Sequence, residues 1–456
     1  MSQNEIGLSR RKFLRALAGT AAVGATAKIL PAVQAKSNPK RKPNVVLIMA
    51  DDIGYECFGC YGGKSYKTPR IDKLADKGML FKYCYSQPLC TPSRVKIMTG
   101  RSNIRNYKAF ALLDKKEKTF GNLMKQAGYA TGVFGKWQLY GAEHTKPYIR
   151  GKGITPKKAG FDKWCLWHYK KYSERYWKPA FDVNGKRVDF TGKYGPDVLL
   201  EKAVEFIDEN KDKPFFLYYP MVLVHNPFLP TPDSKNKRSR NRQKNFADMV
   251  AYMDKIVGKL RDKIVKAGLA EDTIFMFTGD NGTNSEIKSR VGAKVVRGGK
   301  GLMHEFGTHV PLVATWDKTT PAGSVCEDLV DFSDFLPTIC QAGGAVLPEN
   351  VTYDGKSFLP QLMGKKGNPR KWYFCYYNSR PTFKRQRRPS GAFARDQRYK
   401  LYTDGRFFDC KKDPLEKSEL DKTRLTSQAK TALTKLRKAI KSMPAKPQNL
   451  MSRPAK

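Results

Sequence analysis

The sequence predicts an α/β protein: a central, mostly parallel sheet flanked by helices, followed by a smaller antiparallel sheet and a terminal helix. Three observations predict it. From residue 44 onward, short apolar runs rich in β-branched residues alternate with amphipathic segments, as strands buried on both faces alternate with helical crossovers. After about residue 365 this gives way to short aromatic or alternating runs separated by turn residues, the mark of antiparallel strands. The chain has 456 residues, 40% hydrophobic and 12% aromatic, enough for a large core and two domains.

Each element has its own justification. Asn44 to Ala50 is a buried parallel-type strand. Residues 69–78 read as a helix that Pro69 opens, Ile71 and Leu74 face inward and Gly78 ends. "FGNLMKQAGYATGVFGKW" is a helix, a glycine stop and a strand ending near Lys136. "DVLLEKAVEFIDEN" is an amphipathic helix, and "KPFFLYYPMVLVH" the strand after it. "NFADMVAYMDKIVGKLRDKIVKAGL" is a long helix leading to the strand "TIFMFTGDNGTN". Later, "WYFCYYNS", "SGAFARDQRYKLYTD" and "RFFDC" are short strands, and Thr426 to Ser442 is a polar helix. Residues 235–244, "KNKRSRNRQK", lack apolar periodicity and read as an exposed basic loop, either simply solvated or able to grip a polyanion. No internal repeat is visible.

The first residues belong to targeting. Ser9-Arg10-Arg11-Lys12-Phe13-Leu14 is a twin-arginine sequence, Ala16 to Ala27 an alanine-rich stretch, and Val33-Gln34-Ala35 a site for a peptidase. The expected organisation is therefore a signal peptide at 1–35, a basic linker at 36–43, a catalytic domain at 44–365 and a C-terminal subdomain at 366–456. This implies passage through the twin-arginine export machinery to a periplasmic or secreted location. No other run is long and apolar enough to span a membrane. The formal net charge is +43, a field that attracts anions. Nucleic acid, anionic lipid and acidic polysaccharide all answer to that charge, and export removes nucleic acid. Nine cysteines leave at least one unpaired in a compartment that permits disulfides. Cys57 and Cys60 form a C-x-x-C, but the glycines around them indicate a loop rather than the helix start a redox pair needs.

Two predicted strands end in acidic clusters: Asp51-Asp52 and Asp280-Asn281. In an open parallel sheet, ligands bind beyond the carboxyl ends of the strands. Three carboxylates and an amide are hard oxygen donors that suit Ca²⁺ or Mg²⁺ rather than zinc. Turn chemistry is the alternative, since Asp and Asn commonly follow strands. Arg94, Lys136, Lys300 and His225 form a cationic set; Lys136 and His225 each follow an apolar run and reach the same edge. A divalent ion with several cationic groups makes a pocket for a tetrahedral oxyanion. Cys90 could be a thiolate nucleophile in such a pocket, although a thiolate fits poorly beside an anionic substrate and three carboxylates.

Cys90-Thr91-Pro92-Ser93-Arg94, with Thr99-Gly100-Arg101 beyond, resembles the sulfatase signature. So, in the family's order, do Asp51-Asp52-Ile53-Gly54-Tyr55 through Cys60-Tyr61-Gly62, Thr68-Pro69 with Ile71-Asp72, Gly135-Lys136-Trp137, His225-Asn226-Pro227, Gly279-Asp280-Asn281-Gly282, Lys300-Gly301, Asp354-Gly355, "RYKLY" and "FFDCKKDP". The resemblance covers nearly all of residues 43–415. It implies the alkaline phosphatase-like fold and a sulfuric ester hydrolase. It implies that a formylglycine-generating maturation enzyme converts Cys90 to 3-oxoalanine (Cα-formylglycine), and that Asp51, Asp52, Asp280, Asn281 and the modified residue 90 bind one Ca²⁺. In that scheme the hydrated aldehyde attacks sulfur, polarised by Ca²⁺ and Arg94. Lys136 and Lys300 hold sulfate oxygens, and His225 or Lys300 protonates the leaving alcohol. The second hydroxyl of residue 90 then expels sulfate, which an unmodified serine could not do. The net charge points to a sulfated carbohydrate or polysaccharide as substrate.

Two departures from the family stand out. Gln138 occupies the place of a histidine, and an amide cannot take a proton; His144 and His168 are the spare histidines. Glu305-Phe306-Gly307-Thr308-His309 replaces a Glu-Gly-Gly-x-Arg stretch, a change expected to alter packing behind the site. Two rival readings remain at this point: a phosphate or phosphonate monoester hydrolase using the same pocket, and a non-catalytic protein that binds sulfated glycans.

Overall fold

The computed structural model describes residues 41–379 and 390–448; the signal peptide expected at 1–35 lies outside them. An eleven-stranded sheet carries the architecture. Its strands are β1 (Asn44–Ala50), β2 (Met79–Tyr85), β3 (Ala130–Lys136), β4 (Lys163–Trp167), β5 (Ala180–Val183), β6 (Lys186–Asp189), β7 (Phe215–Pro220) and β8 (Thr273–Gly279), with later additions described below. A separate hairpin follows, β9 (Lys288–Val291) and β10 (Lys294–Arg297), and the large sheet is completed by β11 (His309–Val310), β12 (Leu312–Thr315) and β13 (Ser324–Asp331). The order is β11-β2-β12-β8-β1-β7-β3-β4-β5-β6, with β13 on the other side of β2.

The centre is parallel, as expected: β8, β1, β7, β3 and β4 run in one direction. β1 lies in the middle, and every one of its seven residues is buried. Its side chains alternate between two cores, Val46, Ile48 and Ala50 into one and Val45, Leu47 and Met49 into the other, because successive strand residues point to opposite faces. Helices Pro69–Lys77, Gly195–Asn210 and Arg242–Lys266 supply apolar residues to the first core, and Cys90–Thr99, Phe120–Gln126 and Phe335–Gly343 to the second.

Local chemistry explains the ends that matter. Ala50 is paired with Gly279 and Met49 with Pro220, so the residues after β1, β7 and β8 emerge side by side. Gly135 in β3 has φ +137, and a Cβ there would lie 1.9 Å from the Pro220 carbonyl oxygen. Only glycine permits that approach of β3 to β7, and Lys136 follows at once.

Two expectations are corrected in detail. The run ending in His225 is not strand throughout, since β7 stops at Pro220. Its continuation is still tied to the edge: the Asp51 amide donates to the Leu223 carbonyl and the Val224 amide to the Asp51 carbonyl, both at 2.8 Å. The basic loop is shorter than 235–244, because Asn241 caps a helix that begins at Arg242, its side chain accepting from the Lys244 amide.

The second sheet is antiparallel, β14 (Tyr373–Tyr377), β15 (Gly391–Arg395), β16 (Tyr399–Tyr402) and β17 (Phe407–Asp409) in that order. Helix Ser427–Lys441 covers it, with Leu433 and Leu436 packing among Phe374, Leu401 and Phe407. The second sheet also packs on the large sheet and one of its helices: Tyr373 of β14 stacks on Tyr85 of β2 at 4.6 Å, and buried Lys96 of helix Cys90–Thr99 donates to the Phe374 carbonyl. All nine cysteines are free thiols.

Candidate active site

The carboxyl edge of the parallel strands gathers every residue expected of the site. Asp51 and Asp52 leave β1, Asp280 and Asn281 leave β8, Lys136 ends β3, and His225 follows β7. Asp52 has φ +62, a left-handed backbone that Asp tolerates better than most residues. The turn lets its amide donate to Asp280 Oδ1 at 3.0 Å. Asn281 Nδ2 donates to Asp52 Oδ1 at 2.9 Å.

Three cations face the three buried carboxylates. Lys136 Nζ contacts both oxygens of Asp51 at 2.9 and 2.8 Å. Arg94, wholly buried on helix Cys90–Thr99, donates through Nη2 to Asp280 Oδ2 at 2.9 Å and through Nη1 to the Lys136 carbonyl at 3.0 Å. Lys300 reaches Asp52 Oδ2, and His225 Nε2 stands 3.5 Å from the same atom. Burial alone would raise the Asp51 carboxyl, but Lys136, His225, Arg94 and Lys300 together hold it well below the usual carboxylate range. Burial, reinforced by Asp51, pushes Asp280 up to about 7. Burial lowers His225 to about 4, helped by Lys300 and Lys136 and resisted by Asp52 and Asp51.

Cys90 opens its helix at this edge and is buried. Burial raises its thiol, with the charges of Lys136, Asp280, Lys300 and Asp51 acting on it in opposing senses. A thiol held protonated in this way is a poor nucleophile as it stands.

The donor set accepts a hard divalent cation. Oxygens of Asp51 and Asp52 and a ring nitrogen of His225 lie within 4.8 Å of one another. Asn281 Oδ1 is buried without a hydrogen-bond partner, an omission costly enough to require explanation, and a cation ligated by that oxygen supplies one. The arrangement differs from expectation in emphasis. His225, expected on the substrate, sits in the tightest acidic trio, whereas both Asp280 oxygens accept bonds from protein donors.

Gln138 stands beside the site with φ +55, its Oε1 accepting from the hydroxyl of Thr91, the residue after Cys90, at 3.2 Å. His168 and His144 pair through their Nε2 atoms at 3.2 Å. Burial, with His144, Lys136, Arg175 and Arg94, pushes His168 well below its ordinary value, so it is a weak base.

Sequence reasoning missed Arg175. It comes from the loop after β4, lies over the Trp167 ring at 4.4 Å and reaches His225 Nδ1 at 2.9 Å. Nothing in its local sequence marks it; only the fold brings it to a histidine fifty residues away. Glu305 is buried behind the site and bonds His309 Nδ1 at 2.7 Å and Arg395 of β15. Although burial opposes ionisation, Arg395 and His309 keep its carboxyl well below the usual range. The divergent 305–309 stretch is thus a packing device whose guanidinium comes from the second sheet.

The Sulfatase family model matches residues 43–345, and that of the N-sulphoglucosamine sulphohydrolase C-terminal region matches 299–445. Human (Homo sapiens) Arylsulfatase A is 32% identical over 420 residues, covering 83% of this chain and 78% of the relative. The crystal structure of Ps i-CgsB in complex with k-i-k-neocarrahexaose superposes with a TM-score of 0.72 at 27% identity, covering 91% of this chain and 96% of that one. Phosphonate Monoester Hydrolase of Agrobacterium radiobacter shares the fold, with a TM-score of 0.65 at 20% identity over 88% and 95% of the two chains. The fold is alkaline phosphatase-like and the site is that of an ester hydrolase. The chain belongs to the sulfatase family and is a sulfuric ester hydrolase.

Proposed function

We propose that this protein removes sulfate from a sulfated carbohydrate, using residue 90 matured from cysteine to formylglycine and one bound Ca²⁺. The observation that carries the reading is the convergence of Cys90 with Asp51, Asp280, Lys136 and Lys300 at one buried edge. Asp51, Asp52, Asp280 and Asn281 would hold the ion, with residue 90 completing the set. When present, the matured residue and the ion supply the hydroxyl nucleophile and the charge that polarises it.

The chain's own groups do the rest. Lys136 and Lys300 direct positive charge at the sulfate oxygens, where negative charge builds in the transition state. Arg94 holds Asp280 and the end of β3 in place. Of the two donors for the leaving alcohol, Lys300 keeps its proton at neutral pH: burial works against the charge, but Asp52, Cys90 and Asp51 together outweigh it. His225, lowered to about 4, is largely neutral there. Gln138 orients Thr91 and does not act as the base. A carbohydrate substrate is supported by the likeness to Ps i-CgsB, solved with k-i-k-neocarrahexaose, and by the net charge of +43. The same reading includes export by the twin-arginine route to the periplasm or beyond and the domain limits expected from the sequence. No described helix is long and apolar enough to cross a membrane.

The test is to produce the protein with a formylglycine-generating enzyme, determine the mass of the peptide spanning residue 90, and assay free sulfate from sulfated sugars. Aldehyde at residue 90, with release abolished by Cys90→Ala, is expected. Full activity with an unmodified thiol, or with the alanine variant, overturns the proposal. Faster cleavage of phosphate or phosphonate esters would select the monoesterase reading, and tight glycan binding without release the non-catalytic one.

A further inference from the structure

Three chain excursions leave the carboxyl edge of the sheet after β1, β7 and β8, and outside the catalytic pocket they form one surface. The hairpin β9–β10 is its centre. Lys288 and Arg290, two residues apart, share a face with Arg297, which pairs with Lys288 in the antiparallel register. All three are exposed, while Ser289 and Val296 on the other face are buried. Gly298 and Gly299 then lead directly to Lys300 of the site. The basic segment after β7 lies alongside: Gln243 bonds the Lys288 backbone through both ends of its amide, at 3.0 and 3.1 Å, and Arg242 pairs with Glu286. The loop after β1 joins from the other side, with the Lys64 amide donating to the Arg290 carbonyl at 2.8 Å.

The charge on this surface is unlike that on the opposite edge. Residues 235–244 carry six cations and no carboxylate, and residues 286–297 carry four cations and Glu286 alone. All ten cations are exposed, and among the described residues only Arg242 has a carboxylate partner. At the amino edge cations and carboxylates are interspersed: Lys125 pairs with Asp162, Lys163 with Glu209 and Lys263 with Asp208, although Arg41 and Lys42 meet only backbone carbonyls. Leaving so many like charges uncompensated in one place costs self-repulsion, which a bound polyanion would relieve.

We propose that this apron is a binding surface for a polysulfated polysaccharide chain, which it holds while one sulfate ester enters the pocket beside Lys300. The proposal rests on the sulfated-carbohydrate reading above and adds that the substrate is a polymer bearing several sulfates, gripped outside the pocket. Direct attachment of the hairpin to Lys300 favours this occupant over other polyanions, because the apron and the pocket then act on one chain.

The test compares the full-length protein with a Lys288→Gln/Arg290→Gln/Arg297→Gln variant, a Lys235→Gln/Arg238→Gln/Arg240→Gln variant, and an amino-edge control, Lys125→Gln/Lys163→Gln/Lys213→Gln. Dextran sulfate binding is titrated from 0.05 to 0.3 M salt, and hydrolysis of p-nitrophenyl sulfate is measured in parallel. The apron variants are expected to bind dextran sulfate at least ~10-fold more weakly, with a salt dependence reduced by roughly one ion per cation removed. Their kcat/KM on the aryl ester should stay within about twofold of the parent, as should dextran sulfate binding by the control. Equal weakening in the control, unchanged binding in both apron variants, or duplex DNA held as tightly through the same residues overturns the apron. If no ester of any kind is cleaved while binding still depends on the hairpin, the hydrolase reading fails and the apron stands.

Discussion

Arg94 shows how much one side chain does in this site. It is buried, carries a permanent charge, and divides its donors between Asp280 and the last carbonyl of β3. Lysine lacks the planar fork whose two terminal nitrogens meet these two acceptors separately. Arg94→Lys should therefore preserve the fold while lowering kcat by ~10²-fold, the usual effect of disturbing an electrostatic stabiliser. Arg94→Met removes the charge and leaves Asp280 buried without its partner; a loss of about 3–5 kcal/mol is expected from urea unfolding. A methionine variant as stable as the parent would mean that Asp280 is neutral in the folded protein.

At the scale of elements, the notable link is between the second sheet and the loop behind the site. Arg395 of β15 and His309 share the buried Glu305. The folded-state Glu305 carboxyl is depressed, so its contribution to stability is fully present above the unfolded value of about 4.3. That contribution fades as pH falls toward the folded value. Urea midpoints for the parent and Glu305→Gln should differ by a constant amount above about pH 5 and converge in acid. A gap that persists unchanged to pH 3 would assign the stability to packing instead.

For the whole molecule, charge and metal act together. The cluster at the sheet edge forms only in the folded chain, so an ion bound there stabilises folding by mass action, by about 2.7 kcal/mol when free ion is 100-fold above Kd. Chelation should lower the thermal midpoint, Ca²⁺ should restore it, and Asn281→Leu should remove the response. A midpoint indifferent to Ca²⁺ in the matured protein would exclude the ion from this site. The chain as a whole carries a formal net charge of +43, which makes anion capture fast and salt-sensitive.

The sequence by itself determined the parallel core, the hairpin-rich tail and the residues at the strand ends. β1 and β8 were legible because a strand buried on both faces must be continuously apolar, and Asp51 and Asp280 follow them directly. Strands such as β4–β6 and β11–β13 were not legible. β4–β6, β11 and β12 are only two to five residues long, β5 and β6 are partly exposed, and β13 pairs with β2 far earlier in the chain, so no local periodicity marks them. The same reason hid Arg175 and the Glu305–Arg395 pair, whose members are 50 and 90 residues from what they touch. Only the tertiary structure decided that the basic segment after β7 lies against the β9–β10 hairpin, since local pattern reports which face of an element is apolar but not which elements share an edge.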